Sequence, residues 1–533
     1  MNTLVLPESP APMPRKKLPI GIQTLREILE EGFYYVDKTG IAIQLIATGK
    51  YYFLSRPRRF GKSLFLDTLK ELFEGNFALF KGLEAETKWD WSKKYPVIRI
   101  SFTGGVLRDR KELDRRVRDI LRVNRLTLGL KLPADVQPDD ITSNFEDLIS
   151  QAHTHTGLRA VVLVDEYDKP ILDNIDDRAA ATEMREGLKN LYSVLKGADE
   201  HLKFVFLTGV SKFSKVSLFS GLNNLEDLTL NASYSAICGY TEHDVDTVFA
   251  PELFDLDRNE IRSWYNGYNW LGEGVYNPHD LLQLFRFREF RSHWFESGTP
   301  SFLIKLLTER NNFIPDLGTF RADSDLLSTF DVDNIPVEAL MFQAGYLTIE
   351  RQEMQGQDTL YRMGYPNREV IISLHNSLLD TLVQSKRVRI ENRTKLYDIL
   401  DANNLSAMEE LFTAFFDSIP TDWYRNNPIA NYEGYYAGVF YSYFAALGLN
   451  ITVEDSSNKG RLDMAVRFQK RILLFEFKVV ELVPEGRALA QLKAKNYAAK
   501  YRSSGCAITL IGVEFSRDAR NIVAFEAEEL TWV

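Results

Sequence analysis

Four short apolar runs, set apart by longer amphipathic stretches, dominate residues 50–250. They are Tyr51-Tyr52-Phe53-Leu54-Ser55, Val97-Ile98-Arg99-Ile100-Ser101-Phe102, Ala160-Val161-Val162-Leu163-Val164 and Phe204-Val205-Phe206-Leu207-Thr208. Each is rich in β-branched or aromatic side chains, and none alternates cleanly with polar ones. A strand with one wet face alternates, so these strands are expected to be covered on both faces. The pattern predicts an α/β fold: a parallel sheet wrapped by helices on both sides.

The first run leads through Arg56-Pro57-Arg58-Arg59-Phe60 into Gly61-Lys62-Ser63, and a helix predicted over 64–73 follows at once. Strand, tight loop and helix start in this order turn backbone N–H groups and the positive end of a helix toward one point, which suits a phosphate. Lys62 would reach the β and γ oxygens, Ser63 would hold Mg²⁺, and Arg59 and Gly61 complete the loop. Against the template G-x-x-x-x-G-K-[ST] the leading glycine is replaced by Arg56. Gly-Lys-Ser alone is a weak signal, since it arises by chance in unrelated loops. The third run strengthens it by ending in Asp165-Glu166, an aspartate for the Mg²⁺ shell followed by a carboxylate to activate water. ATP and Mg²⁺ are therefore the expected cofactors. Thr208 and Ser211, after the fourth run, suit either a turn or a place near the γ-phosphate. Arg56, Arg58 and Arg59 suit either phosphate neutralisation or a structural role in the loop.

Residues 18–302 resemble the AAA-like ATPase domain of bacterial proteins that also carry a C-terminal PD-(D/E)XK nuclease domain. The resemblance rests on Leu18-Pro19-Ile20-Gly21, Tyr35-Val36-Asp37-Lys38-Thr39, the loop 56–63, Val164-Asp165-Glu166-Tyr167-Asp168-Lys169-Pro170, 207–225, Trp264-Tyr265-Asn266-Gly267-Tyr268 and 295–300. Arg56 departs from the general loop template but not from this narrower family. The resemblance implies an ATP-binding domain of the additional-strand class.

The remaining organisation is read as a loose Pro-rich leader over 1–17, a middle region over 303–430 and a last domain over 431–533. The aromatics Trp264, Tyr265, Tyr268, Trp270, Trp294 and Phe295 read as core. Within the middle region a helix over 337–345, a hairpin turning near Gly356 and a helix from Asn367 suggest a winged-helix-like module. Its hairpin offers only Arg351 and Arg362 as cations, which favours packing against the ATPase domain over DNA contact.

The last domain reads helix, three strands, helix, strand. Two adjacent strands carry Asp463 in Gly460-Arg461-Leu462-Asp463-Met464-Ala465-Val466, and Glu476 and Lys478 in Leu473-Leu474-Phe475-Glu476-Phe477-Lys478-Val479. Alternate residues of a strand share a face, so Glu476 and Lys478 point together, and antiparallel pairing brings Asp463 beside them. Two carboxylates at one point repel unless a cation intervenes, and their hard oxygens suit Mg²⁺ or Mn²⁺. With Lys478 to orient water or meet developing charge, this is the pattern of a phosphodiester hydrolysis site. The order of elements over 431–514 also resembles the PD-(D/E)XK fold. On that resemblance Asp463, Glu476 and Lys478 match the signature, Glu433 the acid of the first helix and Gln491 the polar residue of the following helix. Leu462 stands where the signature's name has proline. Gln491 and Lys495, four apart, share a helical face.

At 533 residues the chain exceeds what one hydrophobic core supports, and 45% hydrophobic with 26% charged residues excludes wholesale disorder. Two cysteines, Cys238 and Cys506, preclude a disulfide framework and fit a reducing compartment. No stretch reaches the about 18 apolar residues of a membrane span, so a cytoplasmic protein is expected. A net charge of −10 argues against coating nucleic acid by bulk electrostatics. The clusters Arg115, Arg116 and Arg118, and 386–393, read as solvated helix faces. His153 and His155 lack a third ligand, so zinc is not expected. Two functions stay open: an ATP-coupled, metal-dependent nuclease with DNA as the expected substrate, or a nucleotide-switched binding protein with a non-catalytic nuclease-like domain. A homo-oligomer is compatible with either.

Overall fold

The computed structural model describes residues 14–131, 137, 139–212, 218–219, 222, 224–293, 320–327, 336–383, 385–418, 433–457, 460–481 and 483–530, without the side chains of 381–383, 433–435, 454–457 and 460–462. They divide between two compact units, Met1–Gly298 with Arg321–Arg362, and Thr299–Phe320 with Met363–Val533.

The first unit is built on β1 (Tyr51–Ser55), β2 (Val97–Ser101), β3 (Ala160–Asp165), β4 (Leu202–Gly209) and β5 (Glu226–Asp227), in the order β2-β3-β4-β1-β5 with every pair parallel. Every residue of β1 and β3 is buried, as strands without polar alternation require. β4 lies between β1 and β3, so an additional strand separates the phosphate-loop strand from the acidic strand. Parallel pairing with Ser55 opposite Gly209 and Val164 opposite Leu207 brings the ends of all three to one edge. The covering helices Arg110–Thr127, Ile141–Thr156 and Arg178–Gly197 start where Asp109, Asp140 and Asp177 accept backbone N–H groups as N-caps.

Trp264, Tyr265, Tyr268 and Trp270 are buried, and Phe60 of the loop packs edge-on against Tyr268 and Trp270. Trp294 and Phe295 lie outside the described residues. Arg115 is exposed and Arg118 pairs with Asp139. His153 meets His201, Nδ1 to Nδ1 at 3.0 Å, rather than His155.

The expected helix, hairpin and helix are present as Val337–Ala344, β7 (Thr348–Gln355) with β8 (Asp358–Gly364), and Arg368–Val383, while β6 (Arg321–Ala322) joins β8. Helix Val337–Ala344 and the hairpin belong to the first unit and helix Arg368–Val383 to the second, so the described part of 303–430 is shared between the two. Gly345 ends the first of these helices at φ +91°, and a Cβ there would lie 2.9 Å from Pro57. Gln343 and Thr348 accept the backbone N–H groups of Lys212 and Asn269 at 2.6 and 2.8 Å.

The second unit follows helix Glu433–Ala446 with β9 (Asn450–Ser457), β10 (Gly460–Phe468), β11 (Arg471–Val480), helix Arg487–Lys495, the 3-10 segment Tyr497–Ser504, β12 (Ala507–Ser516) and β13 (Asn521–Leu530). The sheet order is β13-β12-β11-β10-β9, with β11 and β12 parallel and the rest antiparallel. Helix Glu433–Ala446 covers one face through Phe440 and Phe444 against Phe475 and Phe477. β13 was not expected from the sequence. It is an edge strand whose exposed Glu526, Glu528 and Glu529 read as solvated chain, while backbone pairing to β12 holds it. Among the described residues no helix is long and apolar enough to cross a membrane.

Candidate functional site

The loop after β1 surrounds a cleft of about 430 Å³ lined by Arg58, Arg59, Gly61, Lys62, Ser63 and Glu166, among others. Gly61 caps helix Lys62–Phe73 at φ +94°, a conformation that favours glycine, and so aims the helix N-terminus at the cleft. Lys62 is buried, and its Nζ donates to the carbonyls of Arg56 and Pro57 at 2.9 and 2.8 Å. Burial pushes its pKa down, with Asp165 opposing. Asp165 is 1% exposed, and neither carboxylate oxygen has a hydrogen-bond partner among the described residues. A buried carboxylate left so is costly unless a cation completes it, so this donor set fits a Mg²⁺ shell with Ser63. Glu166 sits at φ +55°, uncommon for a non-glycine residue, and burial followed by the charge of Asp165 pushes its pKa up.

For two residues whose role the sequence left open, the contacts point to structure. Arg56 takes the structural alternative. It is fully buried, donates to the carbonyls of Ser55, Thr229 and Tyr234, and lies 4.1 Å from the Trp270 ring centroid. Burial lowers its pKa to about 10. Thr208, which the sequence left between a turn and a place near the γ-phosphate, donates its buried hydroxyl to the carbonyl of Leu54 at 2.9 Å, and so fastens β4 to β1. Ser211 donates its N–H and its hydroxyl to Asp168, each at 2.7 Å. Asp168 thereby stitches the acidic loop to the loop after β4.

In the second unit β10 and β11 pair with Met464 opposite Phe475, and one step further Asp463 accepts the N–H of Phe477 at 2.8 Å. Asp463 thus lies beside Glu476, which is fully buried. Lys478 Nζ is 3.3 Å from Glu476 Oε1 and donates to the Phe477 carbonyl at 2.9 Å, while Gln491 donates its amide to the same Glu476 oxygen. Four of the expected side chains therefore meet at one point. Glu433 opens its helix, but its side chain lies outside the described residues. Among the described residues Lys495 makes no hydrogen bond or ion pair with this group, in contrast to Gln491 one turn earlier. Among the described residues no three His, Cys, Asp or Glu side chains gather as metal ligands. Two carboxylates still fit Mg²⁺ or Mn²⁺, which keep several waters and accept substrate phosphate oxygens.

Three residues beyond those expected hold this centre. Glu514 of β12, opposite Lys478, accepts the N–H groups of Glu485, Gly486, Arg487 and Ala488 and so pins the start of helix Arg487–Lys495. Burial raises its pKa, yet these N–H groups outweigh it and hold the carboxyl low. Gly512 lets that helix approach, since a Cβ there would lie 2.3 Å from the Leu489 nitrogen. Tyr497 is buried, and burial followed by the charge of Glu476 pushes its pKa up. Glu514 had a sequence signal, an acid inside an apolar strand like Glu476; Gly512 and Tyr497 had none.

Residues 19–219 match a family model described as Predicted AAA-ATPase, and residues 431–525 match the PD-(D/E)XK nuclease superfamily. The chain is 59% identical over 519 residues to an uncharacterized protein in the vnfD 5' region of Azotobacter chroococcum mcd 1, covering 97% of this chain and 100% of that one. With a sheet order that inserts β4 beside the phosphate-loop strand and a C-terminal sheet carrying Asp463, Glu476 and Lys478, the chain belongs to the family of AAA-ATPase-like proteins that end in a PD-(D/E)XK nuclease-superfamily domain.

Proposed function

We propose that this protein binds and hydrolyses ATP in the cleft beside Lys62 and cleaves phosphodiester bonds of nucleic acid, with DNA as the expected substrate, at Asp463, Glu476 and Lys478. The observation that carries the reading is the meeting of Asp463, Lys478 and Gln491 beside the buried carboxylate of Glu476.

At the first site Lys62 would exchange the Arg56 and Pro57 carbonyls for phosphate oxygens, Ser63 and Asp165 would hold the hydrated ion, and Glu166 would take the proton of the attacking water. Its raised pKa suits that base role. At the second, Asp463 and Glu476 would hold a divalent ion, which would supply Lewis-acid polarisation of the phosphate and a more acidic bound water. Lys478 orients that water and meets the charge that develops on phosphate oxygen, and Gln491 keeps Glu476 in place. Both sites on one chain suggest that nucleotide state licenses cleavage.

The test is incubation of the full chain with plasmid, linear and single-stranded DNA and with RNA, with Mg²⁺ or Mn²⁺, with and without ATP. Cleavage that needs the ion and disappears in Lys478→Ala supports the proposal. If nothing is cut, a nucleotide-switched binding protein is what remains, and if Lys478→Ala cuts as the parent does, the proposal fails.

A further inference from the structure

We propose that His279 is a positioning residue of the nucleotide site: it holds the Arg59 guanidinium across the cleft mouth, where Arg59 meets the phosphates of the incoming nucleotide. The inference rests on the ATP reading of that cleft and names a residue to which no part of the phosphate-loop motif points.

Arg59 Nη1 lies 2.6 Å from Nε2 and 3.1 Å from Nδ1 of His279, and both residues line the cleft with Gly61, Lys62 and Ser63. Arg59 is exposed and adopts φ +69°, a backbone conformation uncommon for arginine. Left alone, an exposed arginine samples many rotamers, and fixing it on a phosphate would consume much of what the contact gains. The imidazole removes that freedom beforehand. Among the described residues Arg59 makes no other hydrogen bond, so its remaining donors stay available to phosphate oxygens.

The imidazole itself is rigidly placed. His279 is the second residue of helix Pro278–Phe287, whose start is fixed by Pro278 and by the Asn277 side chain, which accepts the His279 N–H at 3.0 Å. Asn277 and the following Asp280 are fully buried. A neutral imidazole has a lone pair on one ring nitrogen, so one of the two contacts, by distance that to Nε2, is the hydrogen bond it accepts from Arg59. Burial and the Arg59 charge lower its pKa to about 4, so the acceptor is present at neutral pH. Lys62, tied to loop carbonyls, is held by different groups, so the two cations are positioned independently.

The experiment is calorimetric titration of the full chain with MgATP. Arg59→Ala and His279→Ala each weaken binding by roughly tenfold, and the double variant is no weaker than either single one. His279→Gln, whose amide oxygen still accepts, recovers most of the affinity. Additive losses, or parental affinity in either alanine variant, overturn the proposal. Arg59 is exposed, so parental affinity in Arg59→Ala overturns the proposal even if His279→Ala fails to fold, and His279→Gln, binding closer to the parent than Arg59→Ala does, then carries the positive result; if it binds no better than Arg59→Ala, the role of His279 falls. Lys62→Ala separates the two levels. If it loses MgATP while Arg59→Ala and His279→Ala do not, only the role of His279 falls; if it binds as the parent does, the ATP reading falls and this inference with it.

Discussion

The backbone N–H of Phe477 donates to Asp463 Oδ2 at 2.8 Å, so the acid of β10 is locked to β11 one residue from Glu476. An asparagine at 463 keeps that acceptor and the side-chain shape but loses the charge that recruits a cation. Asp463→Asn therefore leaves the thermal midpoint near the parent's, while Mn²⁺ binding by titration and cleavage both fall, the latter by about 100-fold or more. Cleavage at the parental rate would remove Asp463 from the site.

The approach of helix Arg487–Lys495 to β12 at Gly512 gives a second prediction. An alanine methyl would meet Leu489 backbone at 2.3 Å, and backbone cannot rotate aside. The helix shifts outward, and the Gln491 contact to Glu476 is lost with it. Gly512→Ala is expected to cost about 1–3 kcal/mol in stability and to lower cleavage by roughly 10- to 100-fold. Hydrogen exchange across 487–495 measures the displacement. Unchanged protection there, with unchanged cleavage, would show that the close approach does not position Gln491.

These two sites also mark how far sequence alone reaches. The runs that became β1 to β4 were legible because complete burial suppresses alternation, and the Asp463, Glu476 and Lys478 set because charge inside an apolar strand needs a reason. β13 was not, since its acidic exposed residues carry no burial signal and its stability comes from backbone pairing with β12. Thr208 and Arg56 stayed undecided for a related reason. A hydroxyl or a guanidinium near a phosphate loop looks the same in sequence whether it faces the cleft or bonds to backbone carbonyls behind it.

Acid destabilisation should trace in part to His375. It is fully buried with Nδ1 3.3 Å from the Ser442 hydroxyl, between the rings of Tyr365 and Tyr441, and burial lowers its pKa from 6.5 to about 3. The unfolded chain takes up a proton near pH 6.5 that the folded chain refuses. Its stabilising contribution is thus complete above pH 6.5 and falls continuously as pH drops toward 3, by about 1.4 kcal/mol per pH unit. Carboxylates titrate mostly below about pH 4.5, so urea midpoints between pH 6.5 and 4.5 isolate the histidines. His375→Asn reduces the slope of the transition assigned to the second unit in that window. An unaltered slope would mean that His375 is protonated in the fold or ordered by water.

Restoring the glycine that the phosphate-loop template asks for should damage the protein. Arg56 is 0% exposed and bridges three carbonyls, those of Ser55, Thr229 and Tyr234, with Trp270 against its face. Arg56→Gly leaves a cavity of guanidinium size and strands three buried acceptors, and each effect alone is substantial. The first unit is expected to lose about 3 kcal/mol or more, read as a lower denaturant midpoint. MgATP affinity does not rise, because the Lys62 contacts run through the Arg56 and Pro57 carbonyls that this network holds. Arg56→Lys falls between the two, since one ammonium lacks the planar fork that reaches three acceptors at once. A glycine variant as stable as the parent would mean that the loop can close over the gap, and that the buried arginine is dispensable to the phosphate cradle.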